Sequence, residues 1–162
     1  MAATSSTPKT PQRLRLLAED IDDLTVIAAC LQDALAKVCE MTYLPSQRRF
    51  VLALSRYRWE GEDTQGKSPR AFERVTCGLH FDSVQAVRVR GQVQTQPEAV
   101  LELLTIAAAP ATKPGAEGGA TITLLFAGDA AIQLDVECID AALSDITTPW
   151  PVPLRPDHGP LV

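Results

Sequence analysis

His80 stands three residues after Cys77 and two before Asp82, and it is the one histidine inside the stretch that patterns as folded. Residues two apart on a strand share a face. The Asp82 carboxylate could then hold one ring nitrogen while the other exchanges a proton with a substrate. A hydrolase would also need a nucleophile, and no serine stands in a Gly-x-Ser-x-Gly elbow. Cys77-x-x-His80 has the spacing of half a zinc site. Residues three apart on a strand point to opposite faces, however, and Cys30, Cys39 and Cys138 supply no second close pair. The expectation is no catalytic residue, no metal and no cofactor.

The arginines carry a different chemistry. Arg56 and Arg58 share one face of an apolar run, as do Arg88 and Arg90, and each pair could project as a two-pronged fork. Guanidinium groups suit carboxylate and phosphate. With Arg74, and with Tyr57, Trp59 and His80 as stacking or hydrogen-bonding neighbours, they define a cationic strand face able to meet an acidic protein or a small anionic ligand. The plainer reading is a solvated face whose charges pair with Glu60, Glu73 and Asp82, since cross-strand ion pairs are common in antiparallel sheets.

Charge is unevenly distributed along the chain. Its net charge is −5 over 162 residues, yet from Arg48 to Arg90 nine bases face five acids. That dipolar arrangement leaves one cationic flank, while the acidic balance of the whole chain argues against a dedicated nucleic-acid binder. Gly115, Gly118 and Gly119 lie in a Pro/Gly connector with no GK[ST] ending, so they make no phosphate loop. No apolar run reaches the roughly 18 residues of a membrane span, and the first residues do not form a secretory signal. Four scattered cysteines read as reduced thiols, mostly small core residues. A cytoplasmic protein without membrane insertion is expected.

These residues need elements to position them. Residues 1–12, rich in Ser, Thr and Pro, read as a disordered tail, and 13–17 as a short strand or lead-in. Asp20 caps a helix over about 20–33, where Leu24, Ile27, Ala28 and Leu31 form one stripe. In 49–59 the large apolar residues change parity, from Phe50, Leu52 and Leu54 to Tyr57 and Trp59, which predicts a bulge or bend near Ser55. Residues 60–71 read as a loop. Strands follow over 74–81 and 84–90. Residues 99–108, apolar on both parities, suit a central strand or a buried helical turn, with strand favoured by the flexible loop over 110–119 and the strands after it. A hairpin comes next, turning at Ala127-Gly128-Asp129-Ala130. Ile139, Ala142, Leu143 and Ile146 repeat the helical spacing, which predicts a short helix over 138–146 ended by Pro149.

The reading is one α+β domain over 13–150 with a Pro-rich tail over 151–162. It has about seven antiparallel strands, in a twisted sheet or small barrel, between an N-terminal and a short C-terminal helix. Seven strands and one closing helix is also the layout of a pleckstrin-homology-like barrel.

Five stretches mark a family. They are Leu31-Gln32-Asp33-Ala34, Leu44-Pro45-x-x-Arg48-Arg49-Phe50, Cys77-Gly78-Leu79-His80-Phe81-Asp82, Val136-Glu137-Cys138-Ile139-Asp140-Ala141-Ala142-Leu143 and Pro149-Trp150-Pro151. Together they resemble an uncharacterised bacterial family, a domain of unknown function of about this length, from Arg13 to about Pro153. The resemblance implies a bacterial cytoplasmic protein and brings no catalytic or binding residues with it. The expected function is a non-enzymatic binding or scaffold module using the cationic strand face. The rival is a small anionic-ligand-binding protein or weak hydrolase around His80.

Overall fold

A computed structural model describes residues 13–58, 72–112, 115, 117–148 and 150–152. Strand β1 (Arg15–Ala18) leads into helix α1 (Ile21–Cys30). The Asp20 side chain accepts the Asp23 amide at 2.7 Å, and Asp22 and Asp23 occupy the first turn, where the helix dipole favours negative charge. Leu24, Ile27 and Leu31 are fully buried, so the predicted stripe is the packed face.

The remaining elements are nearly all strands: β2 (Leu35–Lys37), β3 (Met41–Leu44), β4 (Arg49–Tyr57), β5 (Phe72–Phe81), β6 (Val84–Arg90), β7 (Val100–Pro110), β8 (Ala120–Phe126), β9 (Ala131–Val136), β10 (Ala141–Asp145) and β11 (Trp150–Val152). A one-turn helix α2 (Gln92–Thr95) follows β6. The strands run β1-β10-β5-β4-β2-β7-β8-β9-β6, with β3 also on β4 and β11 also on β5. β7 pairs β2 through Val100–Glu102 and β8 from Leu103 onward, with a register shift between Leu103 and Thr105. Such a bulge bends a strand, and here it carries the sheet into a second layer.

β1 and β6, the two ends of that order, do not pair, so the sheet is not closed. It is tied across its layers instead. The Val84 amide donates to the Arg48 carbonyl at 2.8 Å, and the Tyr43 hydroxyl donates to the Val84 carbonyl at 3.0 Å. Between the layers lies one apolar core, in which Phe50, Leu79 and Phe81 of β4 and β5 join Leu124, Leu134 and Leu143.

Several expectations are corrected. The segment expected as a C-terminal helix is β10, inserted between β1 and β5 with Leu143 opposite both Leu16 and Leu79. The described residues form eleven strands rather than seven. Without a closing helix, the pleckstrin-homology-like comparison loses the element it rested on. No bulge occurs near Ser55 either, because the β4–β5 register runs unbroken from Phe50–Phe81 to Tyr57–Arg74. Strand β1, helix α1, strands β5 to β9 and the β8–β9 hairpin, with Gly128 and Asp129 both at positive φ, stand where the sequence placed them. Pro151 and Val152, expected in the tail, belong to β11. Residues 1–12, the loop over 60–71, Pro149 and the tail beyond 152 lie outside the described residues.

Gly91 ends β6 with φ of 78°, and a Cβ there would stand 3.0 Å from the Ala130 Cα and 3.1 Å from the Asp129 carbonyl oxygen. Backbone, unlike a side-chain tip, does not yield to such an approach. Gly91→Ala should therefore cost about 1–3 kcal/mol, read as a lowered urea midpoint with unchanged slope.

Candidate functional site

Arg56 does not lie on a wet face. It is fully buried, on the same inward side of β4 as Phe50, Leu52 and Leu54. Its guanidinium forks onto Asp145 of β10, with Nε to Oδ1 at 2.9 Å and Nη2 to Oδ2 at 2.8 Å. The same carboxylate accepts the Leu14 amide at 2.9 Å, and Arg56 Nη1 donates to the Tyr57 carbonyl at 3.1 Å. Asp145 lies across from Cys77, so the pair bridges β4 and β10 over the middle strand β5. A buried charge persists only when paired and hydrogen-bonded, and Arg56 has both. It is a structural staple, inaccessible to a partner.

Cys77 sits beneath this staple, its thiol donating to the Leu54 carbonyl at 3.5 Å. Burial pushes the thiol up to about 12, against the smaller lowering effect of Arg56. The folded thiol thus keeps its proton while an unfolded one ionises near 9, so its contribution to stability is intact below pH 9 and lost as pH rises toward 12. Cys39 and Cys138 are exposed and Cys30 half-buried, which corrects the expectation of mostly core thiols. Iodoacetamide at pH 8 should modify Cys39 and Cys138 in the native protein and reach Cys77 only on unfolding, as read by peptide mass.

The other expected cations do not converge. Arg58 Nη1 bonds Glu73 at 2.8 Å. Arg74 lies 4.3 Å from the Tyr57 ring centroid and donates to the Ser55 carbonyl at 2.9 Å. Arg88 and Arg90 are exposed on β6, at the far end of the strand order. Arg88 forks onto Asp135, whose hydrogen bond and charge raise its pKa, and Arg90 Nε donates to the Asp129 carbonyl at 3.2 Å. Trp59 lies outside the described residues. His80 faces outward, as its parity implied, with Nε2 3.5 Å from Asp82 Oδ2, while Arg49 Nε holds Asp82 Oδ1 at 2.7 Å. Cys77 points inward and His80 outward, so the two do not share a ligand position. Among the described residues, no group of three His, Cys, Asp or Glu side chains could hold a metal.

What the strand registers assemble instead is the outer face of β1, β10, β5 and β4. One cross-strand row reads Leu17, Ala142, His80, Val51. The next reads Arg15, Ser144, Gly78, Ala53, and a third at the far end reads Trp150, Arg74, Tyr57. Within these rows Ala142, Ser144, Gly78 and Ala53 form a floor of small residues. Around it stand Leu17, 75% exposed, Ile146, 54% exposed, and Trp150, 36% exposed. Ile146 leans over Gly78, its Cδ1 3.3 Å from where a Cβ would be.

Cations edge this apolar floor: Arg15 has no partner among the described residues, and Arg74 is held by a ring and by Ser55 rather than by an acid. In the turn before β4, Arg48 pairs with Glu137, which also accepts Gln85 at 3.0 Å. The Arg48 hydrogen bond, reinforced by Gln85, holds the Glu137 carboxyl below its usual range. Sequence reasoning missed Arg15, Leu17 and Arg49 as surface groups of this face. The alternation Arg13-Leu14-Arg15-Leu16-Leu17 is the available signal: it indicates a short strand or lead-in but not which strands lie beside it.

A family model described as "Protein of unknown function (DUF2948)" matches residues 14–158. No curated protein and no solved structure matches the chain.

Proposed function

We propose that this chain, which belongs to the family of proteins of unknown function (DUF2948), is a non-enzymatic module that binds an acidic, partly apolar segment of another protein. The outer face of β1, β10, β5 and β4 is the contact surface. One observation carries the reading: Leu17, Ile146 and Trp150 stand exposed around a floor of Ala142, Ser144, Gly78 and Ala53, with Arg15 and Arg74 beside them. Grouped exposed apolar residues ringed by charge mark interaction sites more than scattered ones do. This is a narrower version of the expected cationic face, carried by Arg15, Arg49 and Arg74 rather than by Arg56, Arg58, Arg88 and Arg90.

Size and charge favour a segment over a second copy of the chain. From the Arg49 position to the Tyr57 position the face is about 27 Å long, and four strands give it a width of about 19 Å. That is roughly 500 Å², below the ~800 Å² each partner contributes to a standard interface. An isologous dimer would also bring two copies of the same cation-edged patch together, like charge facing like charge. A hydrolase around His80 has less behind it, since Asp82 is already shared with Arg49 and, among the described residues, no serine or cysteine is bonded to the ring. Four free thiols suit the reducing interior of a bacterial cell, where such a module would meet its partner.

The test is capture of partners from the native cell with the wild-type chain and with Arg15→Glu/Arg74→Glu. Each captured protein's acidic segments are then made as peptides and titrated against both purified forms. Wild type should bind at least one such peptide about tenfold more tightly than the double variant. Recovery of the same partners at the same affinity by both forms would end this reading.

A further inference from the structure

Among the described residues β1 is the terminal strand of its sheet, and the hydrogen-bond phase shows which of its groups face outward. The Asp145 amide donates to the Leu14 carbonyl, so Leu14 and Asp145 form a bonded pair. Bonded pairs alternate in an antiparallel ladder. Leu16 with Leu143 and Ala18 with Ala141 therefore continue the phase in the β1–β10 register. The same phase holds on the other side of β10, where Asp82 bonds Asp140 and Ile146 bonds Thr76. By this alternation, the N–H and C=O groups of Arg15 and Leu17 point away from the sheet. β6, at the opposite end, differs: its Val89 carbonyl accepts Gln94 Nε2 at 3.0 Å, and its Val84 groups are held by Arg48 and Tyr43.

We propose that the partner segment adds to β1 as an extended strand, bonding the backbone of Arg15 and Leu17. This rests on the binding-module reading and names how the partner is held. Strand addition supplies affinity through the main chain and selectivity through alternate side chains. Beside Arg15 an added strand places an outward residue that should be Asp or Glu, and beside Leu17 one that should be apolar. The two are neighbours on one face, so the recognised pattern is an acidic and an apolar residue spaced two apart. Four backbone bonds are few, so these side chains must contribute much of the selectivity. The chain turns into α1 directly after Ala18, with the Glu19 amide bonded to Asp23 Oδ2, which limits the docking edge to this pitch.

The experiment titrates the full chain with a set of synthetic peptides of about ten residues, carrying Glu and Leu two apart, against versions with Lys for Glu. Peptides N-methylated on one or the other alternating set of residues are compared, and amide exchange at Arg15 and Leu17 is followed. Strand addition predicts three results. Glu peptides bind, N-methylation of one set but not the other weakens binding about tenfold or more, and the Arg15 and Leu17 amides exchange at least about tenfold more slowly in the complex. Binding indifferent to N-methylation, with no slowing at those amides, would overturn strand addition while leaving the face itself as a binding surface. Failure of every peptide to bind would overturn strand addition as well. The broader reading falls only if the captured-partner peptides also ignore Arg15→Glu/Arg74→Glu.

Discussion

Replacing Arg56 with methionine should destabilise the domain by about 3–5 kcal/mol, because the Asp145 carboxylate would be left buried without its cation. That is a large share of the ~5–15 kcal/mol available to a domain of this size. It should appear as a fall of about 10 °C or more in the thermal midpoint. Methionine fills much of the arginine stem's space, so the loss reports the charge more than a cavity. The control is Arg56→Met with Asp145→Leu, which removes both ions. Since apolar replacement of a buried pair is often neutral or stabilising, the double variant should recover most of what the single variant lost. The Leu14 amide, which now bonds Asp145 Oδ2, sets the residual deficit. If Arg56→Met melts within about 2 °C of the wild type, the pair is not holding β4, β5 and β10 together.

That ion pair also explains where the sequence misled. Two errors, the missing bulge at Ser55 and the missing helix over 138–146, are one error seen from both ends. Along β4 the inward series Phe50, Leu52, Leu54 continues to Arg56, and Tyr57 turns outward beneath Arg74. Hydrophobicity alone makes this look like a change of parity. Along β10 the inward series is Ala141, Leu143, Asp145, in which the acid hides the alternation. Ile139 and Ile146, which completed the helical spacing, actually lie in the flanking loops. Each ion looked misplaced because its partner was 89 residues away. Periodicity reads transfer free energy one residue at a time and cannot see a charge neutralised by a distant neighbour.

Elsewhere the local signals sufficed. The Asp20 cap, the α1 stripe and the Gly128-Asp129 turn need only neighbours in sequence, and all three are present. The His80–Asp82 contact was likewise legible from parity. The outer face was not, because it depends on which strands lie side by side. Leu17, His80 and Val51 become one row only once β10 separates β1 from β5. With β10 read as a helix, no such row existed, and the arginines seemed the only feature the surface had to offer.

The largest functional effect is expected from Leu17→Asp combined with Ile146→Ser. Both side chains are more exposed than buried, and substitutions at such positions usually change stability by less than about 0.5 kcal/mol each. The variant should therefore unfold in urea close to where the native chain does. Its affinity for a captured partner segment should fall about thirtyfold or more, the scale of losing an apolar anchor at the centre of a contact. The aspartate adds repulsion, since it stands where the partner brings its own acids. The Ile146→Ser half opens the floor above Gly78 without altering β10, because the Ile146 amide bond to the Thr76 carbonyl is a backbone contact. A salt titration separates the two contributions: loss at position 17 through repulsion should shrink above about 0.5 M salt, whereas loss of apolar contact should not. An unchanged affinity with an unchanged melt would place the partner on some other surface.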